Sequence, residues 1–347
     1  MSQKLIAFTG VTGSQGSSVA SHFLRYQDWR VRGVTRNPDS PKARRLANKG
    51  VELVRGDFDD VASLRRAFKG ANAIFAVTDY AVVLSKTTES EGLRSKAAAA
   101  GQTLSEFARD WEFRHGLNIA EAASDPDMLP TLTHFVFSTL TGIKKWSDGK
   151  CTTGHQFDSK AAIEHYIRDQ LPELSKRLST VAMGIYLENC QDQLYCAPHK
   201  DTHRGGYYFV KPEHTGDHIK FPEVWCSRDA GAFVDALIRR FSPGIDLMGA
   251  RYVYFYVGKD VPSKADQVRL PRRAVVKSIP ADDWKAMIPK GHAEDMYAWF
   301  RFVPEFGFTG GNPRVKLPQE LGIETTALDE FFENEDWSRY LWLSVLT

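Results

Sequence analysis

The sequence predicts an α/β protein built on a Rossmann-type, doubly wound parallel sheet with a smaller C-terminal α+β part. Three observations carry this reading. Short apolar runs alternate with segments of helical spacing, Gly10, Gly13 and Gly16 end the first apolar run at the entrance to a helix, and beyond Asn189 the texture changes to loops and aromatics. A chain of 347 residues holds one large domain or two unequal ones.

Leu5, Ile6, Ala7 and Phe8 read as a buried strand, and Val19, Phe23 and Leu24 as one face of the following helix. Between them Gly10 can take backbone angles closed to other residues, Gly13 lets a ligand approach the main chain, and Gly16 lets helix and strand pack closely. With Thr12 and Gln15 these glycines form a turn whose free N–H groups favour an anion, most simply a dinucleotide pyrophosphate.

The pattern then repeats. "WRVRGVTR" is a strand ending at Arg36, "SPKARRLANKG" a helix stopping at Gly50, "VELVRGDFDD" a strand ending in acids, "VASLRRAFKG" a helix closed by Gly70, and "ANAIFAVTDY" an apolar fourth strand. A helical region from about Ser85 to Ala123 is longer than one crossover requires, so residues 90–113 read as an insertion. Its Trp111 and Phe113 must pack on the chain itself or on a partner. "THFVFSTL" is the fifth strand, ending at Ser138; "HQFDSKAAIEHYIRDQL" is a helix and "STVAMGIYLEN" the sixth strand. Residues 1–190 thus form the dinucleotide-binding domain and 191–347 the smaller part. Within the latter, 226–258 returns a helix, "CSRDAGAFVDALIRRF", and a strand, "RYVYFYVG", to the main sheet.

Composition excludes several function classes. A net charge of +2, dispersed along the chain, gives no nucleic-acid surface. No apolar run approaches the roughly 20 residues of a spanning helix, and the N-terminus enters a strand directly, so the expected location is the cytosol or nucleus. Cys151, Cys190, Cys196 and Cys226 lack CxxC spacing and read as structural thiols. His199, His203, His214 and His218 form two HxxxH pairs, but the surrounding prolines and glycines argue against helices there, and no metal site is expected. No GxSxG nucleophile elbow is present.

The second strand ends in Thr35-Arg36-Asn37, with no carboxylate to hold ribose hydroxyls, and Arg36 offers a forked donor to a 2′-phosphate. NADP(H) is therefore expected over NAD(H). Asp57 and Phe58 fall at the adenine edge, although these acids could equally cap the helix starting near Val61. Thr78 and Tyr80, at the end of strand four, and Ser138 fall at the carboxyl edge, where ligands bind in such sheets.

The ordered series "FTGVTGSQGSSVA", "VTRNPDSPKARRLANKGVELVRGDFDD", "ANAIFAVTDY", "HFVFSTL", "HQFDSKAAIEHYIR", "GIYLEN", "CSRDAG" and "MYAWFRFVPEFGF" resembles the NmrA-like family of atypical short-chain dehydrogenases/reductases. The resemblance implies that Gly10, Gly13, Gly16, Arg36, Asp57, Phe58, Thr78 and Lys160 contact NADP(H), with Tyr186 and Asn189 at its nicotinamide end. Several members of that family are NADP(H)-binding regulators. Classical reductases of the superfamily carry a tyrosine one turn before the active-site lysine, and here that position is Gln156. An amide releases no proton near neutral pH, and His155 points away from the face of Lys160.

Two functions follow. In the first, Lys160 only grips the nicotinamide ribose, and the protein is a redox-sensing regulator that meets a protein partner. In the second, it is an NADPH-dependent reductase of a small aromatic or conjugated carbonyl, alkene or imine, with Lys160 exchanging the proton as in the related isoflavone reductase-like enzymes, or with Tyr80 or Tyr186 supplying it. Tyr207, Tyr208, Trp225, Trp299 and Phe302 would line that substrate's pocket or form core. The missing tyrosine favours the regulator, and the oligomeric state stays open.

Overall fold

The computed structural model describes residues 3–203, 207–216, 219–254, 274–289 and 291–334. Its first half alternates β1 (Lys4–Phe8), α1 (Ser14–Phe23), β2 (Trp29–Thr35), α2 (Pro41–Ala47), β3 (Glu52–Arg55), α3 (Val61–Phe68) and β4 (Ala73–Ala76). Three helices follow, α4 (Tyr80–Glu89), α5 (Glu91–Ala99) and α6 (Leu104–Ala123). Next come β5 (His134–Thr139), α7 (Ile143–Trp146), α8 (His155–Gln170), α9 (Pro172–Ser175) and β6 (Leu178–Met183). With β11 (Asp246–Gly249) and β14 (Val315–Lys316) the strands form one parallel sheet in the order β14-β11-β6-β5-β4-β1-β2-β3.

Neighbouring residues of each strand serve opposite layers, as the two-residue period of a strand requires. Ile6, Phe8, Phe75 and Val136 join the core beneath α1 and α11 (Cys226–Arg239), while Leu5, Ala7, Ile74, Phe135 and Phe137 join the core beneath α3, α6 and α8. Both faces are covered, which is why the strands read as continuous apolar runs.

Two three-stranded sheets lie outside this sandwich. One contains β7 (Ile185–Tyr186), β10 (Lys220–Val224) and β12 (Arg251–Tyr254), and the other β8 (His199–Lys200), β9 (Tyr207–Pro212) and β13 (Ala274–Ile279). The strand that rejoins the main sheet is therefore Asp246–Gly249, beside β6. The first half of "RYVYFYVG" pairs antiparallel with β10 instead, and residues 255–258 lie outside the described residues. The expectation for strand four is also corrected. β4 ends at Ala76, because the Asp79 side chain accepts from the Val82 N–H and starts a helix, so Tyr80 opens α4 rather than closing a strand.

The long crossover is three helices, and it packs intramolecularly. The Trp111 indole N–H donates to Asp59, and Phe113 meets the Tyr166 ring edge to face. Helix α6 lies so close to α8 that a Cβ at Gly116 would sit 2.3 Å from Ile163 Cδ1. Only glycine permits this approach, and it brings the side chains one turn away on each helix into contact.

One buried carboxylate joins the C-terminal part to two elements of the sheet domain. Asp295, in the helix Ala293–Phe306, is buried; its Oδ2 accepts from the Tyr80 hydroxyl at 2.6 Å, and its Oδ1 from the backbone N–H groups of Gly154 and His155 at 2.9 Å each. Helix α8 has no side-chain cap of its own, so this distant acid satisfies its first donors and complements its dipole.

Gly116→Ala is expected to destabilise the fold by about 1–3 kcal/mol in urea unfolding despite alanine's better helix propensity, because the whole Ile163 side chain must move. Pairing it with Ile163→Ala should cost less than the sum of the single changes. Asp295→Ala should cost more than Tyr80→Phe, which removes one hydrogen bond worth about 1 kcal/mol and leaves the α8 donors satisfied. Equal losses in chemical denaturation would contradict the latch.

Candidate functional site

A cleft of about 800 Å³ runs along the carboxyl ends of the central strands. At its middle is the turn from β1 into α1. Gly10 has φ of +65°, and a Cβ on Gly16 would lie 2.2 Å from the Gly10 carbonyl oxygen, so helix and strand meet as closely as backbone permits. No side chain caps α1, and Gly13, Ser14, Gln15 and Gly16 line the cleft, leaving the first helical N–H groups to face it. Gln15 donates through Nε2 to the Tyr186 hydroxyl at 2.7 Å, while its buried Oε1 has no partner among the described residues. An uncapped helix start, a glycine floor and an orphaned amide oxygen fit an anionic, hydrogen-bonding ligand such as a dinucleotide.

The strand order divides the cleft around β1. On the β2–β3 side Phe58 lines it, packed against His115, whose imidazole burial pushes below its ordinary pKa. Arg36 is exposed just past β2 and pairs with no described residue. In contrast Arg30 and Arg32 both bind Glu52, and Arg32 also donates to the Ala67 and Lys69 carbonyls. Asp57 is exposed, and its side chain accepts from the Asp59 N–H; the acid that caps α3 is Asp60. Thr12, Arg36 and Asp57 sit outside the cleft lining, whereas Gly10, Gly13, Gln15, Gly16 and Phe58 are part of it.

On the β4–β5–β6 side the lining includes Thr78, Tyr80, Ser138, Lys160, Tyr186 and Asn189. Here the structure adds a residue that sequence reasoning missed. Glu112 of α6 is fully buried; its Oε1 accepts from Lys160 Nζ at 2.5 Å and from the Thr78 hydroxyl at 2.7 Å, and its Oε2 from the Ser159 hydroxyl. Gly116, one turn further along α6, makes this approach to α8 possible. The signal was a lone acid between Trp111 and Phe113, on a segment read as an insertion.

Of the two candidate tyrosines, Tyr80 donates to Asp295 and Tyr186 accepts from Gln15 within the cleft. Burial, and then the Asp295 carboxylate, hold the Tyr80 phenol far above its usual pKa, and burial also pushes Tyr186 up. Gln156 lines the cleft as expected, and its Oε1 lies 3.1 Å from Nε2 of His292, another lining residue that sequence reading missed. Burial lowers the His292 pKa, which favours a neutral imidazole.

The same cleft is also lined by the largely apolar side chains of Met183, Tyr195, Ile288, Met296, Trp299 and Phe300. Of the four aromatics proposed for such a pocket whose side chains are described, only Trp299 lines it. Phe302 is core, Trp225 packs on Phe331, and Tyr208 stacks on His199 in the outer sheet; the Tyr207 side chain lies outside the described residues. No described helix is long and apolar enough to cross a membrane.

Comparison with known proteins gives this arrangement a family. The NmrA-like family domain-containing oxidoreductase hkm9 of Aspergillus hancockii is 30% identical over 186 residues, covering 54% of this chain and 48% of that protein. An NmrA-like family domain-containing protein of Dictyostelium discoideum is 26% identical over 213 residues, covering 61% and 60%. This chain thus aligns with about half the length of these relatives. The oxidoreductase malD of Malbranchea aurantiaca is 23% identical over 317 residues, covering 83% and 86%. Among solved structures, NmrA, a negative transcriptional regulator crystallised with NADP, superposes with a TM-score of 0.71 at 16% identity, covering 99% of this chain and 98% of that one. The Escherichia coli quinone oxidoreductase QOR2 with NADPH gives 0.62 at 16%, covering 94% and 98%. These likenesses show a common fold, and because the model of the NmrA-like family matches residues 2–341, the chain belongs to that family.

Proposed function

We propose that this protein binds NADP(H) and is a reductase of a small, apolar, conjugated hydride acceptor. The observation that carries this reading is that apolar side chains of the helix Ala293–Phe306 and its flanks line the same cleft as the glycine turn and Lys160, which suits an apolar substrate beside a dinucleotide.

The chain's residues divide the work along the cleft. The turn Gly10–Gly16 would hold the pyrophosphate on the α1 N–H groups, Arg36 the 2′-phosphate, and Phe58 the adenine. Thr78, Ser138, Lys160, Tyr186 and Asn189 would position the other half. When bound, NADPH supplies a hydride. Met183, Met296, Trp299 and Phe300 exclude water from the acceptor and hold its plane, and Gln156 and His292 offer hydrogen bonds to its polar end. No tyrosine stands one turn before Lys160, and Tyr80 holds its proton toward Asp295. For a quinone the balancing proton is then taken from water, so that NADPH, quinone and H⁺ give NADP⁺ and the hydroquinone; a cationic ring takes the hydride alone and gives NADP⁺ and the neutral reduced ring. This suits acceptors that take a hydride without prior protonation, such as quinones or cationic conjugated rings. Two proteins sharing the fold, the QOR2 quinone oxidoreductase and the triphenylmethane reductase of Citrobacter, support that choice by their names.

Gln156 favours a second reading, a redox-sensing regulator in which cofactor state biases the surface offered to a protein partner. The neighbouring NmrA regulator supports it.

The two separate in an assay of NADPH oxidation against a panel of quinones and cationic dyes. Turnover that Met296→Trp cuts at least tenfold, with NADPH binding retained, is the expected result. No oxidation with any acceptor, together with a protein partner whose retention follows cofactor state, would favour the regulator. For cofactor choice, Arg36→Ala should weaken NADPH roughly tenfold and NADH little in calorimetric titration; an equal loss for both removes Arg36 from the 2′-phosphate.

A further inference from the structure

Glu112 and Lys160 form an ion pair behind the cleft, and only Lys160 of the two reaches its surface. The carboxylate is wholly buried and fully used, with Thr78, Ser159 and Lys160 all donating to it. A buried charge in such a setting needs a partner, and each member here neutralises the other. Asp79, another carboxylate on this side, is exposed and occupied in capping α4, and Asp295 is engaged by Tyr80 and the start of α8.

Thr78 and Lys160 lie on the β4–β5 side of β1, opposite Phe58. If the pyrophosphate sits on α1 and the adenine near Phe58, the nicotinamide half falls on this side. The oxidised nicotinamide ring carries one positive charge and the reduced ring carries none, while the rest of the dinucleotide is the same in both. A protein contact shared by the two forms therefore cancels in the ratio of their affinities. A net protein charge near the ring does not cancel, and in a low-dielectric site it is felt strongly.

We infer that Glu112 sets the balance of this site between NADP⁺ and NADPH: by cancelling the charge of Lys160 it removes the penalty that an unpaired ammonium would impose on the oxidised ring. The inference rests on the NADP(H)-binding reading above. Glu112 is on this account a positioning and charge-balancing residue that acts through Lys160, without touching the ligand. The long crossover helix α6 thereby reaches the redox end of the cleft from behind.

The test is calorimetric titration of the full chain with NADPH and NADP⁺, comparing the ratio of their dissociation constants. Glu112→Gln should shift the ratio toward NADPH by about tenfold or more, equivalent to about 1.4 kcal/mol. Lys160→Met, which leaves the carboxylate, should shift it toward NADP⁺, and the double variant should return close to the unaltered protein. The double variant and Lys160→Met carry the test if Glu112→Gln alone does not fold. Weaker binding of both cofactors in proportion, or a shift in the same direction for both single variants, overturns the inference. Failure of the unaltered chain to bind either cofactor overturns the NADP(H) reading itself, a different and recognisable result.

Discussion

The buried carboxylate of Asp295 is the point on which the arrangement depends. It comes from the C-terminal part, yet it supplies the cap that α8 lacks and the acceptor that the Tyr80 hydroxyl needs. Helix α8 carries Gln156 and Lys160, and α4 begins just past Thr78. Two walls of the cleft are thus referenced to one oxygen pair, and the helix that bears that pair also brings Met296, Trp299 and Phe300 to the cleft. The placement of this apolar wall and that of Lys160 are set by one residue. Leaving any of these donors unpaired in the interior costs more than the hydrogen bond contributes, which gives the joint its specificity.

Much of the sheet domain was legible because its signals are local. An apolar run of four to six residues between glycines and acids is too short for a helix and reads as a covered strand, and Gly10, Gly13 and Gly16 state the turn and the close helix contact in their spacing. Arg36 could be separated from Arg30 and Arg32 only in part. The structure shows why: Glu52, two strands from β1, claims the other two, and a pairing across strands has no sequence signature. Glu112, His292 and Asp295 were missed for the same reason. Each acts on a segment far along the chain, through helix crossings that local spacing does not encode. The aromatics of the C-terminal part could not be divided between pocket and core from the sequence, since burial makes core and pocket walls look alike.

The crossover between β4 and β5 deserves its length. Helix α5 and the start of α6 read as an addition to the sheet domain, but α6 binds the chain at three places. Trp111 and His115 hold Asp59 beside Phe58 at one end of the cleft, Glu112 holds Lys160 on the other side, and the Ser105 hydroxyl donates to the Gly291 carbonyl at 2.5 Å, next to His292. The segment thus spans the back of the cleft and meets the C-terminal part at the same time. Gly116 is the permission for all of it, since a wider separation from α8 would leave both charges of the Glu112 and Lys160 pair buried without each other.

The strand order has a consequence for how the chain is made. β6 is buried along its whole length, and the neighbour that covers its outer edge is β11, which leaves the ribosome only after the two outer sheets' first strands and helix α11. At about 5–20 residues per second, an apolar parallel edge stays open for a time on the order of seconds. A nascent chain of this topology offers other strands a template during that interval.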